Sequence, residues 1–369
     1  MEKKKKVLHV LTDRNIGGAG RWLLYYLKYF DREHFLVKVV LPEDSLLCER
    51  VRALEVPVIP LAEMEDRSYD KKAAKALVQV FRQEKPDIVH THASMTARMA
   101  ARRARVPMIC NTKHCMEGAG GSLPKKLLRR AINHRYSDRI IAVSKAVRKS
   151  RIAGGTDPKQ IVTIYNGIER VPIPTAEEKE RLLASFGGKK GEKAVGMVAR
   201  LEPVKDHETF LQGAKKVLEH RQDVRFYIIG DGSLREELER RARELGIEEQ
   251  VTFTGFLQEV EQMEAALDIA VITSQAEALC LSLLESMIAG IPAVGTDSGG
   301  VAEVIRHGEN GYLIPVGDAE ALAERLEELL SDEEKRRTFG MQAKKDAERE
   351  FLADKMTKRI EKLYLEEKA

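Results

Sequence analysis

Short apolar runs alternate with longer amphipathic stretches along the first half of the chain. The short runs are typical of buried strands, whereas Arg21–Phe30, Tyr69–Glu84 and Pro124–Tyr136 have the periodicity of helices. The strands predicted in this half are Val7–Thr12, Leu36–Leu41, Pro57–Leu61, Ile88–Thr91, Met108–Thr112, Ile140–Ser144 and Ile161–Tyr165. Strands separated by helices indicate a parallel sheet that is covered on both faces.

The same alternation restarts after a stiff break. The segment Val171-Pro172-Ile173-Pro174 is typical of a domain boundary. The strands predicted beyond it are Ala194–Ala199, Arg225–Ile229, Val251–Thr254, Ile269–Thr273, Ala293–Thr296 and Tyr312–Pro315. The pattern therefore predicts an α/β fold of two Rossmann-like, doubly wound domains, residues 1–170 and 171–350, that face each other across a cleft. A charged helical tail, residues 351–369, follows.

The composition is that of an ordinary soluble protein. The chain has 369 residues, of which 43% are hydrophobic and 33% charged, and this length favours two domains. No apolar run approaches the ~20 residues that span a bilayer, and Met1–Lys6 leads into a strand without the apolar core of a signal peptide. The four cysteines lack paired spacing, which indicates a reducing, cytoplasmic location. We interpret Cys110 and Cys115 as buried thiols rather than as a metal-binding pair.

Positive charge is concentrated in one segment, although the net charge is only +4. Between Arg98 and Arg151, lysine and arginine far outnumber the acidic residues, and the helix predicted at Pro124–Tyr136 combines them with leucines. Three interpretations stay open. Residues 123–151 contact an anionic membrane, as a protein peripheral to the inner membrane face would; or they bind an acidic or phosphorylated soluble acceptor; or the leucines pack inward and the cations are solvated. Nucleic-acid binding is not expected, because no recognised module or interleaved aromatic residues accompany the charge.

Two carboxylates frame the predicted start of a helix in the second half of the chain. Glu277 lies in the loop before the helix, and Glu285 lies about one and a half turns into it. The backbone N–H groups near Cys280, Leu281 and Ser282 would favour an anion between the two acids. A ligand with a hydroxyl-bearing part at each end and a phosphate in the middle, such as a nucleotide sugar, fits this arrangement.

Two cations follow the predicted strand Ala194–Ala199. Arg200 can hold phosphate oxygens in a bidentate manner, and Lys205 can act as a point charge. Together they would neutralise a diphosphate. Their alternative role is that of ordinary solvated surface charges.

A glycine pair, Gly17-Gly18, joins the first predicted strand to the first helix. Glycine lets the backbone approach a ligand closely, and a helix N-terminus favours a phosphate or an acceptor anion. A rival interpretation is a dinucleotide-binding fingerprint. Leu23 argues against it, because it replaces the third glycine where close packing of helix and strand needs a small residue.

The segment Gln275–Val294 resembles the signature of the retaining glycosyltransferases of family 4, which adopt the GT-B fold. Further matching motifs, in chain order, are Gly17-Gly18-Ala19, Asp87–His92, His114, Ala142–Ser144, Asn166–Ile168, Arg200 with Lys205, Gly230–Gly232 and Phe253–Phe256. The resemblance covers nearly the whole chain. The sequence departs from the family at Ala199 and Ala278–Cys280, where glycine-containing patterns are usual, and these departures affect the expected donor preference more than the reaction class.

The resemblance implies a role for each matching residue. The expected catalytic residues are Glu277, which contacts the donor sugar, and His114, which hydrogen-bonds that sugar near the reacting carbon. Arg200 and Lys205 are expected to bind the diphosphate, and Glu285 the ribose hydroxyls. Further donor-binding residues are expected to be Cys280, Leu281, Ser282, Gly17, Gly18, Gly230, Phe256 and Leu257, the last three with an alternative role in turns and core. The residues expected on the acceptor side are His92, Lys113 and Asn166.

The implied function is the transfer of a sugar, with retention, from a UDP- or GDP-linked donor to a hydroxyl of a glycan, lipid or small-molecule acceptor. No Asp-x-Asp motif occurs in the sequence, so neither a metal ion nor another cofactor is expected. By the same resemblance, the last helix, from about Phe351, crosses back to the first domain; otherwise it caps the second. The alternative functions are a GT-B sugar-nucleotide epimerase and a non-catalytic protein that binds nucleotide sugars or membranes.

Overall fold

The chain contains two parallel sheets, each with its own hydrophobic core. The computed structural model describes residues 3–62, 64, 69–116 and 121–366. Its internal contacts divide the chain into two compact units. The first is Met1–Gly167 with Ala353–Ala369, and the second is Ile168–Leu352.

The first unit is built on a seven-stranded parallel sheet. Its strands are β1 (Lys5–Val10), β2 (Phe35–Pro42), β3 (Val58–Leu61), β4 (Ile88–His92), β5 (Met108–Lys113), β6 (Arg139–Ala142) and β7 (Ile161–Thr163). Its helices up to β7 are α1 (Gly18–Tyr29), α2 (Leu47–Ala53), α3 (Lys71–Glu84), α4 (Met95–Arg103), α5 (Leu123–Tyr136) and α6 (Lys145–Ala153). The strand order β3-β2-β1-β4-β5-β6-β7 reverses its direction of winding between β1 and β4, which is where such sheets leave a crevice for ligands.

Both faces of the first sheet are covered. On one face, Trp22 of α1 packs in a core with Val7 and Cys110; on the other, Leu77 and Phe81 of α3 pack in a second core. Each large apolar side chain that is fully buried contributes roughly 1.5–3 kcal/mol. Because the strands are buried on both faces, they appear in the sequence as nearly continuous apolar runs.

The second unit is built on a six-stranded parallel sheet. Its strands are β8 (Lys193–Val198), β9 (Val224–Ile229), β10 (Val251–Gly255), β11 (Ile269–Ile272), β12 (Ala293–Thr296) and β13 (Gly311–Ile314). Its helices are α7 (Ala176–Ser185), α8 (His207–Leu218), α9 (Arg235–Glu244), α10 (Val260–Ala265), α11 (Leu281–Ile288), α12 (Val301–Val304), α13 (Ala319–Ser331) and α14 (Glu333–Glu350), and a short 3₁₀ helix spans Pro203–Lys205. The order β10-β9-β8-β11-β12-β13 places the reversal of winding between β8 and β11.

The last helix, α15 (Ala353–Leu365), contributes to the core of the first unit. Met356, Ile360 and Tyr364 are buried in the same cluster as the residues of α1. The chain enters α15 beside Gly167, where a Cβ would lie only 2.4 Å from the Cα of Ala353. Only glycine allows this close approach of two backbones.

The predicted α/β class with two doubly wound sheets is confirmed. All thirteen predicted strands occur, and their ends differ from the predicted ones by up to two residues, which is the usual uncertainty at element ends. One interpretation is wrong. Cys115 is exposed just beyond β5, whereas Cys110 within that strand is buried, and all four cysteines are free thiols.

Helix α5 does not pack through its leucines, so that interpretation is also wrong. None of its fourteen residues, all of them described, is buried, and the leucines at 123, 127 and 128 are 58–70% exposed. The helix is held instead by polar contacts. Asn133 Nδ2 donates to Thr156 Oγ1 over 3.1 Å, and Arg130 pairs with Asp157 over 2.6 Å. In the part of the chain that the structure describes, no helix combines the length and the apolar composition needed to cross a bilayer.

Candidate active site

In the second unit, polar groups gather where the winding of the sheet reverses. β8 and β11 are neighbours, with Val195 opposite Ile269, so the loops that follow them leave the same edge of the sheet side by side. The loop after β8 carries Arg200 and Lys205, and the loop after β11 carries Glu277. This is the position at which open parallel sheets bind ligands.

The two loops are joined by an ion pair between Lys205 Nζ and Glu277 Oε1. The same carboxylate oxygen accepts a hydrogen bond of 2.9 Å from Ser274 Oγ. Thr273 Oγ1 donates to the Lys205 carbonyl over 3.0 Å, and the Gln275 amide donates to the Val204 carbonyl over 2.9 Å. Both the side chains and the backbones of the loops are therefore held in one arrangement.

Burial and neighbouring charge shift the pKa of Lys205 in opposite directions. Burial lowers the pKa of its ammonium, but the neighbouring Cys280 and Glu277 outweigh burial and hold that pKa above its ordinary value. Burial, followed by the charge of Glu277, raises the pKa of the Cys280 thiol to about 11. Because Cys280 stays protonated at neutral pH, Glu277 is the partner that carries the negative charge. Arg200, in contrast, is exposed and forms no ion pair with any described residue.

The start of α11 lies against the end of β8. Ser282 Oγ donates to the Val198 carbonyl over 3.0 Å and lies 3.2 Å from Cys280 Sγ. Cys280 is the N-cap residue, and Leu281 and Ser282 are the first residues of the helix, where backbone N–H groups have no intrahelical acceptor. The predicted anion-binding amides and the two cations are thus brought to one side of the sheet.

A glycine pair that was not predicted from the sequence, Gly299-Gly300, supports Glu277. The Gly300 amide donates to the Glu277 carbonyl over 2.9 Å. Gly299 has a φ of +50°, and a Cβ there would lie 2.1 Å from the Glu277 carbonyl oxygen. Only glycine combines this conformation with this approach. A Gly-Gly pair that follows the end of β12 after two intervening residues was the signal that could have identified it.

The predicted donor residue Gly230 has a packing role. Its φ is +138°, and a Cβ there would lie 2.1 Å from the Ala199 carbonyl oxygen. Gly232 also lies close to the backbone, since a Cβ there would be 2.5 Å from the Leu201 carbonyl oxygen. The two glycines therefore support the backbone on either side of Arg200.

Three further predicted donor residues have different surroundings. Glu285 lies within α11 and is 1% exposed. Phe256 and Leu257 follow β10, the edge strand, which is separated from β8 by β9. Phe256 is 74% exposed, and Leu257 packs against a small core cluster beside β9. The structure gives neither of these two a contact with the Lys205–Glu277 pair.

In the first unit, the predicted glycine pair lies at an exposed helix start. Gly17 is the N-cap of α1, and Gly18 is its first residue. Both are exposed, and a Cβ at Gly17 would meet no described atom within 4 Å. Packing within the described part of the chain does not explain the lack of a side chain at Gly17.

Histidines from three neighbouring strands form a network beside α1. His9 of β1 shares a hydrogen bond of 3.3 Å with His92 of β4, and His92 shares one of 2.9 Å with His114, just after β5. His90 is bonded through Nδ1 to the Tyr364 hydroxyl over 2.5 Å and through Nε2 to Thr112 Oγ1 over 2.7 Å. His92 and His114 were predicted from the sequence as site residues, whereas His9 was not.

All four imidazoles of this network are neutral at neutral pH. Burial lowers the pKa of His9 to about 3, and burial together with the charge of Lys113 lowers that of His114 to about 3. Burial, aided by the neighbouring histidines, also places the pKa values of His90 and His92 well below the ordinary value. The signal in the sequence was a histidine at an otherwise apolar strand position, as in Val7-Leu8-His9-Val10.

The predicted acceptor residues differ in accessibility. His92 is buried, and both of its ring nitrogens are engaged with other histidines. Lys113 is half-buried at the end of β5. Asn166 follows β7 and is buried, and its Oδ1 has no hydrogen-bond partner within the described residues.

The described residues contain one group of three side chains with metal-binding atoms close together. One ring nitrogen from each of His9, His90 and His92 lies within 4.8 Å of the other two. Five of the six ring nitrogens in this group already bond to another histidine, to Tyr364 or to Thr112, and His9 Nε2 has no hydrogen-bond partner among the described residues. Mg²⁺ prefers oxygen ligands, which this group lacks. We therefore interpret it as a hydrogen-bonded network.

Two doubly wound sheets, each with polar groups gathered where the winding reverses, define the class: the architecture is the GT-B fold of glycosyltransferases. Anabaena HepE, solved in complex with UDP and glucose, matches with a TM-score of 0.84 over 97% of this chain and 99% of that chain, at 22% identity. A glycosyltransferase from Rickettsia africae matches with a TM-score of 0.86 over 98% of each chain, at 18% identity.

The sequence comparisons identify the family. Residues 16–170 match the profile of Glycosyltransferase Family 4, residues 178–346 match that of Glycosyl transferases group 1, and the chain belongs to this family of glycosyltransferases. N-acetyl-alpha-D-glucosaminyl L-malate synthase of Bacillus anthracis is 30% identical over 84% of this chain and 82% of its own length. An Escherichia coli UDP-Gal:alpha-D-GlcNAc-diphosphoundecaprenol alpha-1,3-galactosyltransferase is 26% identical over 89% of each.

Proposed function

We propose that this glycosyltransferase transfers a sugar from a nucleoside diphosphate donor to an acceptor hydroxyl, with retention of configuration and without a metal ion. The observation that carries the proposal is the arrangement at β8 and β11. Exposed Arg200, the Lys205–Glu277 pair and the first turn of α11 meet where a parallel sheet binds ligands. A diphosphate would bind to these cations and amides.

The donor proposed first is a UDP-sugar, with a GDP-sugar as the alternative. Anabaena HepE binds UDP and glucose, and the Escherichia coli relative is named for UDP-galactose. Exposed Phe256 offers an aromatic face on which a base would stack, which contributes ~1–3 kcal/mol. We assign Glu285 to the ribose hydroxyls.

The proposed metal independence follows from charge. A departing nucleoside diphosphate carries negative charge that Arg200, Lys205 and the α11 amides would stabilise in place of a metal ion. Of the two cations, Lys205 is the one whose ammonium is already held at the site, by Glu277.

Glu277 is proposed to stabilise positive charge on the sugar ring, and His114 to hydrogen-bond a sugar hydroxyl. The Glu277 carboxylate is fixed by Lys205 and Ser274, as suits an electrostatic role. Retention would then follow if the leaving phosphate assists deprotonation of the acceptor on the same face of the sugar.

The proposed acceptor is a glycan, a lipid or a small molecule, and α5 favours a lipid at an anionic membrane. Its leucines are exposed next to lysine and arginine, while its polar side chains contact the rest of the unit. An amphipathic helix with this orientation suits a negatively charged bilayer surface. The relatives' names include both a small-molecule product and a diphosphoundecaprenol acceptor. No nucleic-acid partner is proposed.

The test is an assay of the full chain with UDP- and GDP-sugars, in the presence of excess EDTA. We expect transfer to an acceptor from a panel of lipid-linked and soluble sugars and hydroxy acids, with an α-linked donor giving an α-linked product by NMR. Turnover that requires added Mg²⁺ or Mn²⁺ would contradict metal independence, and an inverted product would contradict retention. Conversion of the donor sugar to its epimer without an acceptor would favour the epimerase.

A further inference from the structure

We infer that His92 and His9 hold His114 in a single tautomer, with the proton on Nδ1, so that His114 meets its substrate as a hydrogen-bond donor. His92 and His9 are positioning residues, since neither is exposed to a ligand. The inference deepens the proposed function and rests on it for the substrate contact of His114. The proton positions themselves follow from the network.

The three histidines form one chain of two hydrogen bonds. His9 Nδ1 faces His92 Nε2 over 3.3 Å, and His92 Nδ1 faces His114 Nε2 over 2.9 Å. A neutral imidazole has one N–H and one acceptor nitrogen. If His92 donates through Nδ1, it must accept through Nε2, and if it donates through Nε2, it must accept through Nδ1. The two hydrogen bonds therefore run in the same direction: either both donate from His9 toward His114, or both donate from His114 toward His9.

Each direction determines which ring nitrogen of His114 carries the proton. When the protons point outward, His9 donates to His92, His92 donates to Nε2 of His114, and the proton of His114 is on Nδ1. When they point inward, His114 donates through Nε2, and its Nδ1 is an acceptor. His114 is the partly exposed member of the chain, and its Nδ1 bonds to none of the described residues. The direction thus decides what a ligand meets.

His9, at the buried end of the three hydrogen-bonded histidines, favours the outward direction. His9 Nε2 is buried without a hydrogen-bond partner among the described residues. In the inward direction this nitrogen would carry a proton, and a buried N–H without an acceptor is unfavourable. Trp22 Nε1, an N–H donor in a ring 6.1 Å from the His9 ring, is also buried and unpartnered within the described chain. In the outward direction, His9 Nε2 carries a lone pair, so His9 does not add a second buried, unpaired donor beside Trp22 Nε1.

Neither His90 nor Lys113 supplies a competing proton acceptor. His90 uses both ring nitrogens for Tyr364 and Thr112. Lys113, next to His114 in the sequence, is a cation and cannot accept. An Nδ1–H on His114 would donate to a hydroxyl or phosphate oxygen of the substrate. The same tautomer excludes His114 as the general base through that atom.

The tautomer of His114 can be determined without any substrate. Full-length protein labelled with ¹⁵N-histidine is studied at pH 7.5 by long-range ¹H–¹⁵N correlation, and His114 is assigned by the loss of its signals in His114→Gln. We expect a protonated Nδ1 and an unprotonated Nε2, with scalar coupling between Nε2 of His114 and Nδ1 of His92. A protonated Nε2 on His114 would overturn the inference, whatever the enzyme's activity.

Two substitutions at His92 provide a matched pair. In His92→Asn the side-chain amide can still donate to Nε2 of His114, so the Nδ1–H tautomer should persist. In His92→Asp the carboxylate can only accept, so His114 should change to the Nε2–H tautomer. An unchanged His114 in a folded His92→Asp protein would contradict the inference. If His92→Asp does not fold, the wild-type spectrum still decides.

Discussion

Lys205 and Glu277, seventy-two positions apart in the chain, form an ion pair between the loops that follow β8 and β11. Both side chains are mostly enclosed, so neither charge is compensated mainly by water. The pair therefore prepares both groups before any ligand arrives. A diphosphate that binds Lys205 would weaken this ion pair. The Glu277 carboxylate would then be more available to stabilise positive charge on the sugar.

Replacing Glu277 by glutamine should abolish most of the activity and preserve the fold. The amide keeps the size and the hydrogen bond with Ser274 but removes the charge, so we expect kcat to fall by at least ~100-fold, which corresponds to about 2.7 kcal/mol. The measurements are steady-state kinetics and thermal unfolding. Glu320→Gln, at an exposed glutamate that also pairs with a lysine, is the control. A Glu277→Gln enzyme with near wild-type kcat would remove Glu277 from the mechanism.

Replacing Arg200 by alanine should weaken donor binding more than it slows the chemical step. Arg200 has no ion-pair partner to lose in the described part of the chain, so stability should change by less than ~0.5 kcal/mol. We expect the donor KM to rise by roughly 10-fold or more, since a charged hydrogen bond contributes ~1.5–3 kcal/mol. Isothermal titration calorimetry with UDP measures the affinity for the nucleotide part of the donor without turnover. Arg240→Ala, at an exposed arginine of α9, should leave it unchanged, and equal effects of both substitutions would contradict the assignment.

Gly299 and Gly308 allow backbone strain to be separated from contact with Glu277. Both have positive φ, but a Cβ at Gly299 would lie 2.1 Å from the Glu277 carbonyl oxygen, whereas a Cβ at Gly308 meets no described atom within 4 Å. Gly308→Ala should cost about 1 kcal/mol of unfolding free energy, because its cost is conformational. Gly299→Ala should cost at least 1 kcal/mol more and reduce kcat. The measurements are urea unfolding and kinetics, and similar values for the two variants would contradict the role of Gly299.

Acid should destabilise the protein through the histidines of the network beside α1. Burial lowers the pKa of His9 and that of His114 to about 3, while the unfolded chain binds protons near the ordinary value of 6.5. The unfolded state thus binds more protons below 6.5, so stability is present above that pH and is lost as pH falls toward 3. Each such histidine contributes a slope of up to about 1.4 kcal/mol per pH unit.

Urea unfolding between pH 7.5 and 5.0 measures this effect. His9→Asn should reduce the slope, whereas His220→Asn, at an exposed position, should not. A stability that does not change between pH 6.5 and 5.0 would show that these rings are protonated at little cost.

The exposed leucines of α5 should be required for binding to anionic vesicles. Replacing Leu127 and Leu128 by serine removes apolar area that would enter the interface, so we expect vesicle partitioning to fall by at least ~10-fold without loss of thermal stability. Co-sedimentation with vesicles of 30 mol% anionic lipid is the measurement, and it should weaken in high salt. Leu46→Ser, at another exposed leucine of the same unit, is the control. Partitioning that does not depend on lipid charge or on these leucines would disprove the proposed contact.

The amino-acid sequence by itself determined the strands, their alternation with helices and the general chemistry of the loops. Strands buried on both faces must be apolar throughout, so runs such as Ile269–Ile272 are visible without a structure. Charged residues that follow a strand, such as Arg200 and Lys205, are also visible, because they contrast with these apolar runs. The order of strands is not visible, because residues that meet at β8 and β11 are far apart in the chain.

The tertiary structure decided which of these residues touch and which faces are covered. It brings Glu277 to Lys205, supports it with Gly299 and joins His9, His92 and His114 from three strands. It also leaves the leucines of α5 outside, where the helical pattern alone allowed either orientation. Periodicity reports that a helix has two faces, but the neighbours that cover one face come from distant parts of the chain.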